Sequence, residues 1–107
     1  MAVTKKQLSP PRLRLLELMQ KMNFCKIRQL HVHNGEPVFE PAPEVVQYLK
    51  IGGNNDPRVE IHLRDYALKQ SHLELFQHFS DLQSGIIDEL EVRYGLPQVL
   101  RIQRAVA

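Results

Sequence analysis

His31 and His33, with Glu36 three residues on, form the grouping in this chain whose residue types and spacing come closest to a metal site. Side chains two apart on a β-strand share a face, so both imidazoles could reach one ion. The Glu36 carboxylate, across a hairpin, would supply a third ligand of the kind zinc accepts. A solvated strand face accounts for the same pair. At the matching places later in the chain stand Glu91 and Arg93, which suit water rather than a metal.

The remaining reactive residue types stand alone. His72 falls in an apolar helical stripe and could exchange protons; a core histidine bonded to a backbone carbonyl explains it better. His62 and His78 carry less signal. Cys25 could act as a nucleophile if a neighbour lowered its pKa, but no Cys-His-acid grouping is readable, and a small packed thiol is the plainer reading. Gly52-Gly53-Asn54-Asn55 resembles a phosphate loop only in its glycines: Asp56-Pro57 follows, where such a loop opens a helix with Lys and Ser or Thr. Glu89 and Glu91 share a strand face with Asp88 opposite, a pattern of solubility and edge protection. No catalytic residue and no cofactor follow from these residues.

Charge is uneven. Residues 1–28 carry seven basic groups against Glu17, a net of +6, and the remainder carries −4. Lys5, Lys6, Arg12, Arg14 and Lys21 therefore form a candidate nucleic-acid face on the first helix. Only Tyr48 and Tyr94 are aromatic candidates for an outer strand face, too few for a base-stacking platform. The plainer reading is a solvated helix face.

These residues need elements to position them. With 107 residues, 43% hydrophobic and 24% charged, the chain has the composition of one ordinary globular domain. One cysteine excludes an intrachain disulfide. No apolar run is long enough to span a membrane, and the two early lysines lack an apolar stretch behind them, so the expected setting is cytoplasmic.

Ser9-Pro10-Pro11 announces a helix, with Ser9 as cap and proline where its missing N–H costs nothing. Leu15, Leu18, Met19 and Met22 then recur at helical spacing to about Asn23. Asn34-Gly35 predicts a two-residue hairpin turn pairing His33 with Glu36, Val32 with Pro37, His31 with Val38 and Leu30 with Phe39. Glu40 to Pro43 is a stiff connector, and residues 45–51 favour a strand. Residues 52–57 form a loop; Val59, Ile61 and Leu63 alternate as an extended segment. A second helix, capped by Asp65, runs to about Leu82 with Leu68, His72, Leu75, Phe76, Phe79 and Leu82 on one stripe. The second hairpin turns at Tyr94-Gly95, with Ile86, Leu90 and Val92 inward. Its return strand has Leu100 and Ile102 on one face, which requires a bulge near Pro97-Gln98 or a longer turn.

Ile27–Pro37 and Ile87–Pro97 both read I-x-x-L-x-V-x-x-G-x-P, sixty residues apart. The helices match as Leu16–Met22 with Leu73–Phe79, an offset of 57. Residues 13–51, with Phe24-Cys25, the strand from Ile27 to Val32, His33-Asn34-Gly35 and Val38-Phe39-Glu40, resemble the small bacterial proteins of the YezD-like type. Cys25 stands where that family has glycine, and the strand is one residue longer. The family carries no assigned activity, so the resemblance implies no functional residue.

The expected fold is α+β: two α-β-β repeats forming an antiparallel sheet of four to six strands, with two helices packed on one face. It is a single domain over residues 1–107, with a flexible tail at 1–8, a first unit at 9–40, a strand and loop insertion at 41–64 and a second unit at 65–104. The expected function is a small non-enzymatic protein-interaction or regulatory module, self-associating (a homodimer, for instance) or adapting to another protein. Nucleic-acid binding through the basic helix, and metal binding or sensing through His31, His33 and Glu36, are the alternatives.

Overall fold

The computed structural model describes residues 4–49, 51, 52 and 69–103. Their elements are a short 3-10 turn at Lys5–Gln7, then α1 (Pro10–Met22), β1 (Cys25–His33), β2 (Glu36–Val38), β3 (Glu44–Gln47), α2 (Gln70–Leu82), β4 (Gly85–Arg93) and β5 (Leu96–Ile102). The class is α+β, with two α-helices and an antiparallel sheet of five strands among the described residues.

Local chemistry sets the helix ends. Ser9 Oγ accepts from the Arg12 N–H at 3.4 Å, and prolines fill the first two helical positions. α1 stops at Asn23 (φ 64°), whose N–H reaches the Met19 carbonyl at 3.0 Å. α2 stops the same way at Gln83 (φ 63°), bonded to the Phe79 carbonyl at 3.0 Å. At both ends the chain then closes a three-residue γ-turn, in which the Phe24 N–H donates to the Met22 carbonyl and the Ser84 N–H to the Leu82 carbonyl, each at 2.7 Å. The N-cap of α2 is Lys69; Asp65, Leu68 and the expected extended segment at 59–63 lie outside the described residues. Both ends of α2 lie 60 residues after those of α1, so the helices correspond at the same offset as the hairpins and not at 57. Residues 5–7, expected within a tail, form the 3-10 turn and bury Lys5.

The sheet runs β2-β1-β4-β5, all antiparallel, and β3 also pairs β1. β4 takes one edge of β1; β2 and β3 divide the other, at His31–His33 and at Cys25–Arg28. Between them the chain leaves the sheet through Glu40-Pro41, a cis peptide, and Pro43. Three of the four expected hairpin pairs form; β2 ends at Val38, before Phe39 can pair with Leu30. Of the strand expected at 45–51, Val45, Val46 and Gln47 are paired, and the strand starts one residue earlier, at Glu44.

Bulges decide which residues face the helices. Gln29 sits at φ 57° inside β1, and the β4–β5 register shifts between Ile87 and Glu89. An extra residue turns the following side chains over. Ile27 and Leu30 are therefore both buried although three apart, as are Ile87 and Leu90. The second hairpin thus points Ile87 inward in place of the expected Ile86, which is 43% exposed. Asp88 and Glu89 consequently both lie off the core face. Farther along, Val92 pairs Pro97 while Glu91 pairs Val99, so the extra residue is Gln98, as a bulge near Pro97-Gln98 requires. Leu100 then comes opposite Leu90.

Leu15, Leu16 and Met19 of α1 and Leu75, Phe76 and Phe79 of α2 pack with Ile27, Leu30, Val32, Ile87, Leu90 and Val92 in one cluster. Each such side chain contributes roughly 2 kcal/mol by leaving water. The opposite sheet face carries charge: Glu89 meets Arg28 at 3.3 Å, Arg101 at 3.6 Å and Lys26 at 3.9 Å.

Candidate functional site

The two hairpin turns are tied to the helices by a matched set of bonds. The Gly35 N–H donates to the Gln83 carbonyl at 2.7 Å, and the Gly95 N–H donates to the Asn23 carbonyl at 2.9 Å. Each turn thus rests on the cap of the other half's helix. The turn carbonyls are held too. Arg12 Nη2 donates to Gly35 O at 2.9 Å, while His72 Nε2 lies 3.1 Å from Gly95 O. Arg12 and His72 hold the same place in α1 and α2. His72 is buried, so the reading of it as a core histidine bonded to a carbonyl describes its surroundings.

Arg12 reaches farther than His72. Its Nη2 also donates to Ser80 Oγ at 2.9 Å and lies 3.5 Å from the Phe76 carbonyl, and its guanidinium stands 5.3 Å from the Phe76 ring centre. Its Nε pairs with Glu36 at 3.5 Å. Glu36 in turn accepts a 2.6 Å bond from Ser9 Oγ. The carboxylate expected to join His31 and His33 is therefore directed at the start of α1. His31 and His33 do share the non-core side of β1, with Val38 and Glu36 as their strand partners. His33 Nδ1 lies 3.4 Å from Ser84 Oγ. Among the described residues no three His, Cys, Asp or Glu side chains are grouped to hold an ion.

The basic head is divided. Lys5 is buried, with Nζ 3.6 Å from Glu17, and Arg12 is committed to the turn. Lys6, Arg14 and Lys21 are exposed, and Arg14 lies 4.2 Å over the Phe39 ring. The five cations expected to form one face point to at least two different surroundings.

Cys25 is wholly buried opposite Val92, and burial pushes its thiol up to about 11. A thiol held neutral through the physiological range is a poor nucleophile. Lys26 is held above its usual range, first by its hydrogen bond with Tyr48 and then by the charges around it, Glu89 among them. Its Nζ stands 5.7 Å from the Tyr48 ring centre. Exposed His78 and buried Leu75 line a groove between α2 and β5; His62 lies outside the described residues.

The surface with the clearest capacity for recognition is an edge of the sheet. On the β1 side the edge is broken into β2, of three residues, and β3, of four, with Pro37, Pro41 and Pro43 among and between them. On the far side β5 runs seven residues, and among the described residues no strand pairs its outer edge. Proline and interruption are how sheets blunt an edge; a long edge strand is a template for another chain. Pro97 and the Gln98 bulge disturb only the start of β5, leaving Val99 to Ile102 as the regular part. Val99 is 45% exposed.

Periodicity missed Arg12 because an arginine in the first turn of a basic helix reads as surface. The signal available was its position 60 residues before His72. Glu89 as the hub of three cations was hidden by the bulge, which no turn residue announces. No helix of the described residues is long and apolar enough to cross a membrane. No family model, curated protein or solved structure matches this chain.

Proposed function

We propose that the chain is a small non-enzymatic protein-interaction module that takes a partner's extended segment along the outer edge of β5. The observation that carries this reading is the contrast between the two edges of the sheet: one interrupted and proline-rich, the other seven residues long. Strand addition draws affinity from main-chain hydrogen bonds and specificity from alternate side chains. Val99 and Arg101 would be read on one face of the added strand, and Leu100 and Ile102 on the other.

The same reading takes the two halves as copies of one α-β-β unit. The shared offset of 60 for helices, strands and turn glycines supports it, as does the resemblance of residues 13–51 to YezD-like chains. In the first copy the return strand is split in two; in the second it is continuous. That difference leaves one regular edge open for recognition.

Affinity capture from the native cell tests the proposal, comparing the natural chain with Val99→Lys. A lysine on an edge strand discourages pairing without entering the core. The expected result is a partner held by the natural chain and lost by the variant. Equal retention of the same partner by both would remove β5 as its docking edge.

A further inference from the structure

α1 and α2 each leave a groove along the flank turned toward their own sheet edge. The first is floored by Leu18, Phe39 and Val45 and rimmed by Arg14, Glu17 and Lys21. The second is floored by Leu75, Leu90 and Leu100 and rimmed by Glu74 and His78, with Asp81 one turn on. The exposed residues of the two helices correspond at the offset of 60, but their charges are inverted. Arg14 and Lys21 on α1 answer to Glu74 and Asp81 on α2. Glu17, the acid between the two bases, is paired with Lys5 at 3.6 Å, and its counterpart Gln77 is neutral. One flank is therefore basic over an apolar floor and the other acidic over an apolar floor.

We propose that these flanks pair between copies of this chain, the basic flank of α1 on one copy seating against the acidic flank of α2 on the next. The proposal rests on the module reading, for which it supplies a second partner surface; Val99 and Leu100 of β5 line the acidic groove, but the charges that select the partner flank stand on α2. Charges seven residues apart lie two helical turns from each other, about 10 Å. The two pairs can thus meet in register, whichever way the helices run. Because the flanks lie toward opposite edges of the sheet, the contact is heterologous and adds copies head to tail. Exposed ion pairs alone contribute little. The apolar floors supply the adhesion, and the charges select unlike flanks over like ones.

The test is sedimentation velocity of the full chain across a concentration series reaching about 1 mM, at low and at high salt. The natural chain is expected to associate at low salt and to associate more weakly, with less preference for unlike flanks, at high salt. Arg14→Glu with Lys21→Glu makes both flanks acidic; Glu74→Lys with Asp81→Lys makes both basic. Each variant alone is expected to associate at least about tenfold more weakly, and an equimolar mixture of the two to regain association. Circular dichroism checks the fold of both, and Lys21→Gln and Asp81→Asn give the milder series with the same order. A natural chain that stays monomeric at low salt, or a mixture no more associated than its components, overturns the proposal. Glu74→Lys with Asp81→Lys retaining a foreign partner that Val99→Lys loses would separate the fate of this proposal from that of the β5 reading.

Discussion

Gly35 and Gly95 end corresponding hairpin turns, both at positive φ and both donating to the cap of the opposite helix. The residue that holds each turn's carbonyl differs. In the first half it is Arg12, whose guanidinium joins the turn, Ser80 of α2 and Glu36 of β2 in one network. In the second half it is His72, whose Nε2 lies 3.1 Å from the carbonyl of its own turn. A planar cation with five donors can serve several acceptors at once, where an imidazole serves two at most. Arg12 therefore fastens the first hairpin to α2 of the second half, while the Nε2 of His72 holds the turn of its own half.

The largest effects are expected where the two halves share a core. Phe79 and Met19 hold corresponding places and are fully buried. Phe79→Ala should cost about 4 kcal/mol and Met19→Ala about 3 kcal/mol in urea unfolding. A reversed order would mean that the α1 side dominates packing. Next come the anchors. Arg12→Ala leaves Glu36 and the Gly35 carbonyl without their cation and should cost about 3 kcal/mol, against about 2 kcal/mol for His72→Ala. Arg12→His should recover only part of the loss, since an imidazole keeps the turn bond and gives up the reach to Ser80. Equal costs for the two alanine variants would abolish the distinction drawn between the halves.

Smaller effects sharpen the contrast. A Cβ on Gly35 would come 3.3 Å from the Ser80 Cα, at φ +75°. Gly35→Ala should therefore cost about 1–2 kcal/mol. Cys25 gives a pH-dependent term. Its folded pKa of about 11 lies above the ordinary thiol value of 9.0, so the folded chain keeps a proton the unfolded chain sheds. This contribution is fully present below pH 9 and is lost as pH rises toward 11, amounting to about 1 kcal/mol at pH 10. Unfolding curves of the natural chain and Cys25→Ala across that range should diverge accordingly. Val99→Lys should change stability by less than about 0.5 kcal/mol while removing the partner.

Much of this architecture is legible in the sequence because it depends on local signals. Ser9-Pro10 opens α1, Asn34-Gly35 fixes the first hairpin's register, and the conflict between Val99 and Leu100 requires the bulge at Gln98. Gln29 and Asp88 are not legible. Their bulges arise where two central strands cross-pair, and nothing in either residue type marks the event. For the same reason Ile86 and Ile87 exchange faces relative to simple alternation. The proposed metal triad depended on the side on which Glu36 would lie. Strand register alone leaves that open, and Ser9 and Arg12, distant in sequence from Glu36, draw it to α1.

The most direct test of the interaction reading is amide hydrogen exchange of the chain with and without its captured partner. Slowed exchange confined to Val99–Ile102, with β2 and β3 unchanged, is the predicted result. Protection at Glu36–Val38 or Glu44–Gln47 with none along β5 would contradict it.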